Sequence, residues 1–213
     1  MADTPILLST AYFAPVNYYA RVIHHEQVFI EQFEHFNKQT YRNRCVILGA
    51  NGPVPLVVPV VKGREKKILL KNLKIAYDED WQRNHWRTLF SAYNSSPFFE
   101  FYKDEIYPLF EKRWNYLLDL NLETHAVICD LLETDNSVEL TTGFEHVPKN
   151  TINFRENISP KNKAKKDVAF QPEKYTQVFS ERFGFTPNLS ILDLLFNEGS
   201  NSYNVLKSSI NAH

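Results

Sequence analysis

The chain has 213 residues, enough to bury a sizeable core within one domain. Hydrophobic residues make up 43% and charged residues 23%, ordinary globular proportions that exclude wholesale disorder. With 24 basic against 25 acidic side chains the formal net charge is -1, which supplies no field to draw in nucleic acid or an anionic membrane.

Cys45 and Cys129 form no CxxC and have no histidine at ligand spacing. Neither a disulfide framework nor a metal site is expected, and a reducing compartment fits. Met1-Ala2-Asp3-Thr4-Pro5 carries no basic stretch and no apolar run, and no segment approaches the roughly 20 apolar residues of a spanning helix. A cytoplasmic protein without a membrane span is the expectation.

In chain order, Ile6-Leu7-Leu8 reads as a short buried strand closed by the polar pair Ser9-Thr10. An aromatic turn, Ala11-Tyr12-Phe13-Ala14-Pro15, follows. Asn17 is suited to cap a helix over 18–25, and Val28, Phe29 and Ile30 form a second strand. Strand, loop, helix, strand is the order of a parallel βαβ unit. Apolar stretches over 45–48 and 54–61 flank Asn51-Gly52, a dipeptide tolerant of the positive φ that a tight hairpin needs. Pro53, Pro55 and Pro59 lack amide donors, so the second arm reads as an edge.

Trp81, His85, Leu89 and Tyr93 then recur at helical spacing. Ser95-Ser96-Pro97 ends that helix. A second pattern runs over 98–120, interrupted or kinked at Pro108, and a third covers 123–132. Val138-Glu139-Leu140 reads as a strand. Residues 155–167, with Lys161, Lys163, Lys165 and Lys166, read as a mobile loop. Ser190 and Asp193 form a capping box for a helix that Gly199 stops. The fold class is α/β: a mixed sheet with an N-terminal βαβ-like unit and a β-hairpin, and a helical second half, in one domain over 1–213. An α+β arrangement is the alternative.

Open α/β sheets bind ligands beyond the carboxyl ends of their strands, where Ser9, Thr10, Tyr12, Asn17, Tyr18 and Tyr19 would fall. The same tyrosines could equally pack the loop down. Arg42-Asn43-Arg44 opens the hairpin and Lys62 follows it. Strand alternation would send Arg42 and Arg44 to one face, where guanidiniums suit a phosphate or carboxylate. A solvated basic edge accounts for these residues as well. His85 stands on an apolar stripe, as a core histidine or as an acid–base group titrating near neutrality. There is no HExxH, GxSxG or P-loop, and with only 6 Gly a backbone cradle for phosphate is not expected. The lysine cluster lacks the interleaved aromatics that stack bases.

Several of these stretches, in this order, resemble the WbqC-like family of bacterial proteins. Ser9-Thr10-Ala11-Tyr12-Phe13-Ala14-Pro15-Val16-Asn17-Tyr18-Tyr19 is similar to its Q-P-Y-F-x-P-x-x-x-Y opening. Arg42-Asn43-Arg44 resembles its basic N-R pair and Val58-Pro59-Val60 its L-P-V strand. Trp81, His85, Thr88, Tyr93, Pro97 and Phe98 keep its helical spacing. Tyr175, Gln177 and the run from Pro187 through Asn188, Leu189, Ser190 and Asp193 to Gly199 resemble its closing signature. Ser9-Thr10-Ala11 replaces the usual Gln-Pro, so no role of that glutamine carries over. The glycine-containing segment of longer relatives is shortened here to the lysine-rich stretch. The βαβ opening also resembles nucleotidylyl transferases of the HIGH type, but Asn17, Tyr18 and Tyr19 stand where those enzymes carry histidines, so only the fold hint transfers.

The resemblance implies a link to surface-polysaccharide gene clusters, with no established activity. From it follows the expectation of a cytoplasmic enzyme, such as a transferase, acting on a phosphorylated or nucleotide-linked sugar. Arg42, Arg44 and Lys62 would hold an anionic group, Tyr12, Tyr18, Asn17 and Asn43 would line the site, and His85 would move a proton. No cofactor, metal or nucleic acid is expected, and homo-oligomerisation is left open. The other class is a non-catalytic binding or assembly module whose apolar tail over 189–196 docks a partner.

Overall fold

The computed structural model describes residues 4–61, 67–134, 138–160 and 167–211. Lys62 and the four lysines of the 155–167 stretch lie outside them.

Strand β1 (Ile6–Ser9) is central because Ile6, Leu7 and Leu8 are all but fully buried, the pattern of a parallel strand covered on both faces. Strand β2 (Val28–Glu31) pairs parallel to it with Ile6 opposite Val28. Helix α1 (Val16–His24) makes the crossover, so the βαβ unit forms as expected. Two later strands complete the sheet, both parallel: β5 (Val138–Leu140) beyond β2, and β6 (Ile152–Asn153) on the other side of β1. The order is β5-β2-β1-β6.

The hairpin is a separate two-stranded sheet, β3 (Arg44–Gly49) against β4 (Gly52–Val57). Its turn lies at Ala50 and Asn51, one residue earlier than the Asn-Gly dipeptide suggests. Gly52, with φ of 112°, is the first residue of β4 and takes the backbone conformation that other residues avoid. Pro53 and Pro55 are exposed on the outer arm, where their missing amides remove no ladder bond.

Helix α1 starts at Val16, not after Asn17. Pro15 holds the N-cap position but offers no capping side chain, and the Asn17 amide instead donates to Asn188 Oδ1 at 2.9 Å. The cap is therefore supplied by a residue far along the chain. Helix α2 (Trp81–Tyr93) follows the expected stripe. The pattern over 98–132 divides into α3 (Phe99–Ile106), α4 (Pro108–Glu111) and α5 (Leu117–Leu131). Between the last two, the chain is extended and Trp114 loses helical partners. The Tyr77 hydroxyl replaces them, donating to Trp114 O at 3.0 Å and accepting from Trp114 N at 2.8 Å.

The C-terminal region holds α6 (Ser180–Phe183), α7 (Ile191–Glu198) and α8 (Ser202–Ser208). In α7 the side chains of Ile191, Leu192, Leu194, Leu195 and Phe196 are each 0% exposed, as in a helix apolar on nearly every side. The tail that could have docked a partner is thus part of the chain's own core, in one cluster running from Ile6 to Ile210. Ser190 caps α7 and accepts from Leu192 N, but Asp193 does not reach back to complete the box. Gly199 ends the helix at φ of 57°.

Candidate functional site

The candidate site lies at the carboxyl ends of β1 and β6. Ser9, Thr10, Tyr18, Tyr41, Arg42 and Arg155 line a crevice there, with Phe154 and Ile158 as its apolar wall. The remaining void is about 10 Å³, room for a single water.

Arg42 is the centre of the crevice. Its side chain is 4% exposed and forks onto Glu34, Nε to Oε1 at 2.8 Å and Nη2 to Oε2 at 2.6 Å. Nη2 also reaches Ser9 Oγ at 2.8 Å and Glu156 Oε1 at 3.0 Å. Ser9 Oγ in turn donates to the Arg155 carbonyl at 3.1 Å. Burial opposes the charge on Arg42, but hydrogen bonding and charge from Glu34, and then from Glu156, more than offset it, so the guanidinium is held above its ordinary range.

Arg155 makes the second half. Its guanidinium bonds Glu31 at 3.1 Å, Asn153 Oδ1 at 3.0 Å and the carbonyls of Glu145 and His146. Glu31 is 0% exposed at the end of β2 and also accepts from Thr141 Oγ1 and Phe33 N. Arg155 at one end of the 155–167 stretch is thus anchored, as is Asp167 at the other, which pairs with Arg21. Burial pushes the Tyr18 hydroxyl far above its usual range, with smaller contributions from Cys129 and Glu34, so it stays protonated. That hydroxyl makes no hydrogen bond among the described residues.

Of the described residues expected in the site, Ser9, Thr10, Tyr18 and Arg42 line the crevice, and Tyr12, Asn17, Asn43, Arg44 and His85 do not. Arg42 belongs to a 3-10 turn (Tyr41–Asn43), so strand alternation begins only at Arg44 and the two arginines do not share a face by that rule. Arg44 is half-buried on β3, with Nε enclosed and unpartnered among the described residues. Asn43 is buried and donates to the Val58 carbonyl at 2.8 Å, tying the turn to the hairpin. Tyr12 is 0% exposed and its hydroxyl meets His85 Nδ1 at 3.0 Å, with Phe13 and Trp81 against its ring. His85 is 6% exposed, and burial lowers its pKa to about 4 despite a bond to the Val57 carbonyl. Neither Tyr12 nor His85 lines the crevice.

The sequence reading missed Glu31, Glu34, Arg155 and Glu156. A carboxylate directly after the apolar Val28-Phe29-Ile30 was a usable signal, since it stands at a strand's carboxyl end. It also missed that His125 lies one helical turn before Cys129, with Nε2 3.4 Å from Sγ. Among the described residues no group of three such side chains could hold a metal ion.

A second polar cluster sits in the core. Asp193 is 1% exposed and accepts from Tyr93 Oη at 2.8 Å, Tyr175 Oη at 2.8 Å and Gln177 Nε2 at 2.7 Å. No cation among the described residues pairs with it. Burial raises its pKa, and these three donors only partly counter that. The cluster joins α2, the 175–177 segment and α7.

Residues 10–167 match the sequence model of the WbqC-like protein family. The chain belongs to that family. The match takes in Thr10, Tyr18, Arg42, Arg155 and the three glutamates Glu31, Glu34 and Glu156, and begins immediately after Ser9. The chain is also similar to the Mycobacterium tuberculosis (strain ATCC 25618 / H37Rv) protein titled "Uncharacterized protein Rv1507c". The two are 26% identical over 196 residues, covering 81% of this chain and 84% of the relative. No solved structure matches the chain. As a WbqC-like protein it has, among the described residues, no helix long and apolar enough to cross a membrane.

Proposed function

We propose that this WbqC-like protein acts in the cytoplasm on a phosphorylated or nucleotide-linked sugar, in a transfer or modification step of surface-polysaccharide biosynthesis. One observation supports this above the others. A guanidinium is held at 4% exposure between a serine hydroxyl and a carboxylate, at the carboxyl ends of parallel strands. Burial on that scale is costly for a charge with only a structural role, and a fork-shaped donor suits an oxyanion.

In this reading Arg42 and Ser9 hold the anionic group, and Tyr18 and Thr10 orient the sugar through their hydroxyls. Arg155 and Glu31 fix the opposite wall. Asn17, Asn43 and Arg44 support the elements behind it. Tyr12 and His85 act as positioning residues, neutral at physiological pH, that lock the aromatic turn onto α2. The family's association with polysaccharide gene clusters supplies the sugar.

The test is a thermal-shift screen of nucleotide sugars, sugar phosphates and nucleotides, repeated on Arg42→Lys. At a hundredfold excess over Kd a true ligand raises Tm by roughly 5 °C or more. The lysine variant keeps the charge but loses the fork, and most of that shift with it. A panel that leaves Tm unmoved in the parent protein sinks the proposal.

A further inference from the structure

We infer that the carboxylate of Glu156 occupies the anion position of the crevice, and that the ligand's group there is a singly charged oxyanion, a carboxylate or a phosphodiester, which displaces it from Arg42. The inference deepens the function proposed above and rests on it.

The donor count carries the first step. Arg42 Nη2 has two protons and three acceptors: Glu34 Oε2 at 2.6 Å, Ser9 Oγ at 2.8 Å and Glu156 Oε1 at 3.0 Å. Two protons cannot make three good bonds, and the longest contact is the one to Glu156. The partners also differ in how firmly they are held. The Glu34 side chain is 8% exposed, whereas that of Glu156 is 68% exposed. An ion pair with one partner so open to water contributes little, so it yields to a competitor at small cost.

Glu156 stands in a tight turn closed by the Asn157 amide on the Phe154 carbonyl at 3.2 Å. Phe154 and Ile158, on either side of it, form the wall that leaves the crevice room for one water. Withdrawing Glu156 therefore moves the same turn that narrows the cavity, so loss of the internal carboxylate and opening of space for a sugar are one event.

Charge sets the class of ligand. Two ion-pair groups meet at the crevice, Arg42 with Glu34 and Glu156, and Arg155 with Glu31, so that two guanidiniums face three carboxylates, one negative charge in excess. Without Glu156 the remaining four balance. A uronate carboxylate or a phosphodiester restores the excess of one that the cluster already tolerates. A phosphomonoester dianion doubles it inside a poorly solvated site.

The experiment is calorimetric titration of the full chain and of Glu156→Gln with glucuronate, the methyl phosphodiester of glucose 1-phosphate, and glucose 1-phosphate itself at pH 7.5. The exposed glutamine keeps the turn and removes the competing charge. The variant binds glucuronate or the methyl phosphodiester about fivefold more tightly than the parent, and glucose 1-phosphate more weakly than either. Equal affinity of both proteins for a probe they both bind overturns the stand-in role and leaves the anion site intact. Tightest binding of glucose 1-phosphate overturns the single-charge assignment. No binding of any probe by either protein overturns the inference together with the function it rests on.

Discussion

A buried ionisable side chain either finds partners or gives up its charge, and this chain does both within one core. Arg42 stays charged because Glu34 meets it with two bonds and Ser9 with a third. His85 gives up its charge because it meets a phenol and a carbonyl and no carboxylate. Its folded pKa of about 4 lies below the ordinary 6.5, so the protonated form is favoured by unfolding. The stability this contributes is complete above pH 6.5 and is lost as pH falls from there through 4. Asp193, whose pKa is raised, works in the opposite direction as its carboxyl takes up a proton, so the parent curve alone is ambiguous. Replacing His85 with Gln isolates the imidazole. Between pH 7.5 and 4.5 the parent should lose about 2 kcal/mol more unfolding free energy than the variant. Denaturant melts giving parallel pH curves for the two proteins would refute the neutral, buried assignment.

At the scale of elements, helix ends are fixed here by what lies beyond them. Gly199 stops α7 at φ of 57°, and a Cβ built there would come 2.5 Å from the ring of Phe98. Gly199→Ala thus combines backbone strain with a collision against a packed aromatic. The expected cost is about 2–4 kcal/mol, read as a lowered denaturant midpoint with an unchanged slope. A midpoint within experimental error of the parent would mean that the Phe98 ring moves freely. This stop was legible because glycine after an apolar run has a local cause. So was β1, from three consecutive aliphatic residues, and α2, from its period. The start of α1 was not legible, because its capping carboxamide belongs to Asn188, 171 positions away. Nor was the break before α5, where the hydroxyl of Tyr77 replaces lost helical bonds from 37 residues off. The site divides in the same way. Arg42 stood out within a short basic motif, while Arg155 was read as part of a mobile loop because its partner Glu31 is 124 residues distant.

Across the whole molecule, the region matched by the family model ends before α7, in which every residue from Ile191 to Asn197 is buried. Residues 10–167 carry the crevice, yet α7 beyond them supplies five fully buried apolar side chains. It also supplies the Asp193 hub and, through Ser190 N, a bond to the Val46 carbonyl of β3 at 2.7 Å. At about 1.5–3 kcal/mol for each buried side chain, the loss of α7 removes on the order of 10 kcal/mol. That matches the entire net stability typical of a domain, about 5–15 kcal/mol. A chain cut after Asn188 keeps every residue of the crevice and should still fail to fold. Its thermal scan should show no cooperative transition, and its amide NMR spectrum should collapse in dispersion. A shortened chain that melts sharply and binds the same sugar ligands would mean that α7 and α8 only decorate a self-sufficient site. The crevice therefore depends on a helix that contributes no atom to it: α1, which carries Tyr18, is capped by Asn188 and tied to Leu189 immediately before α7.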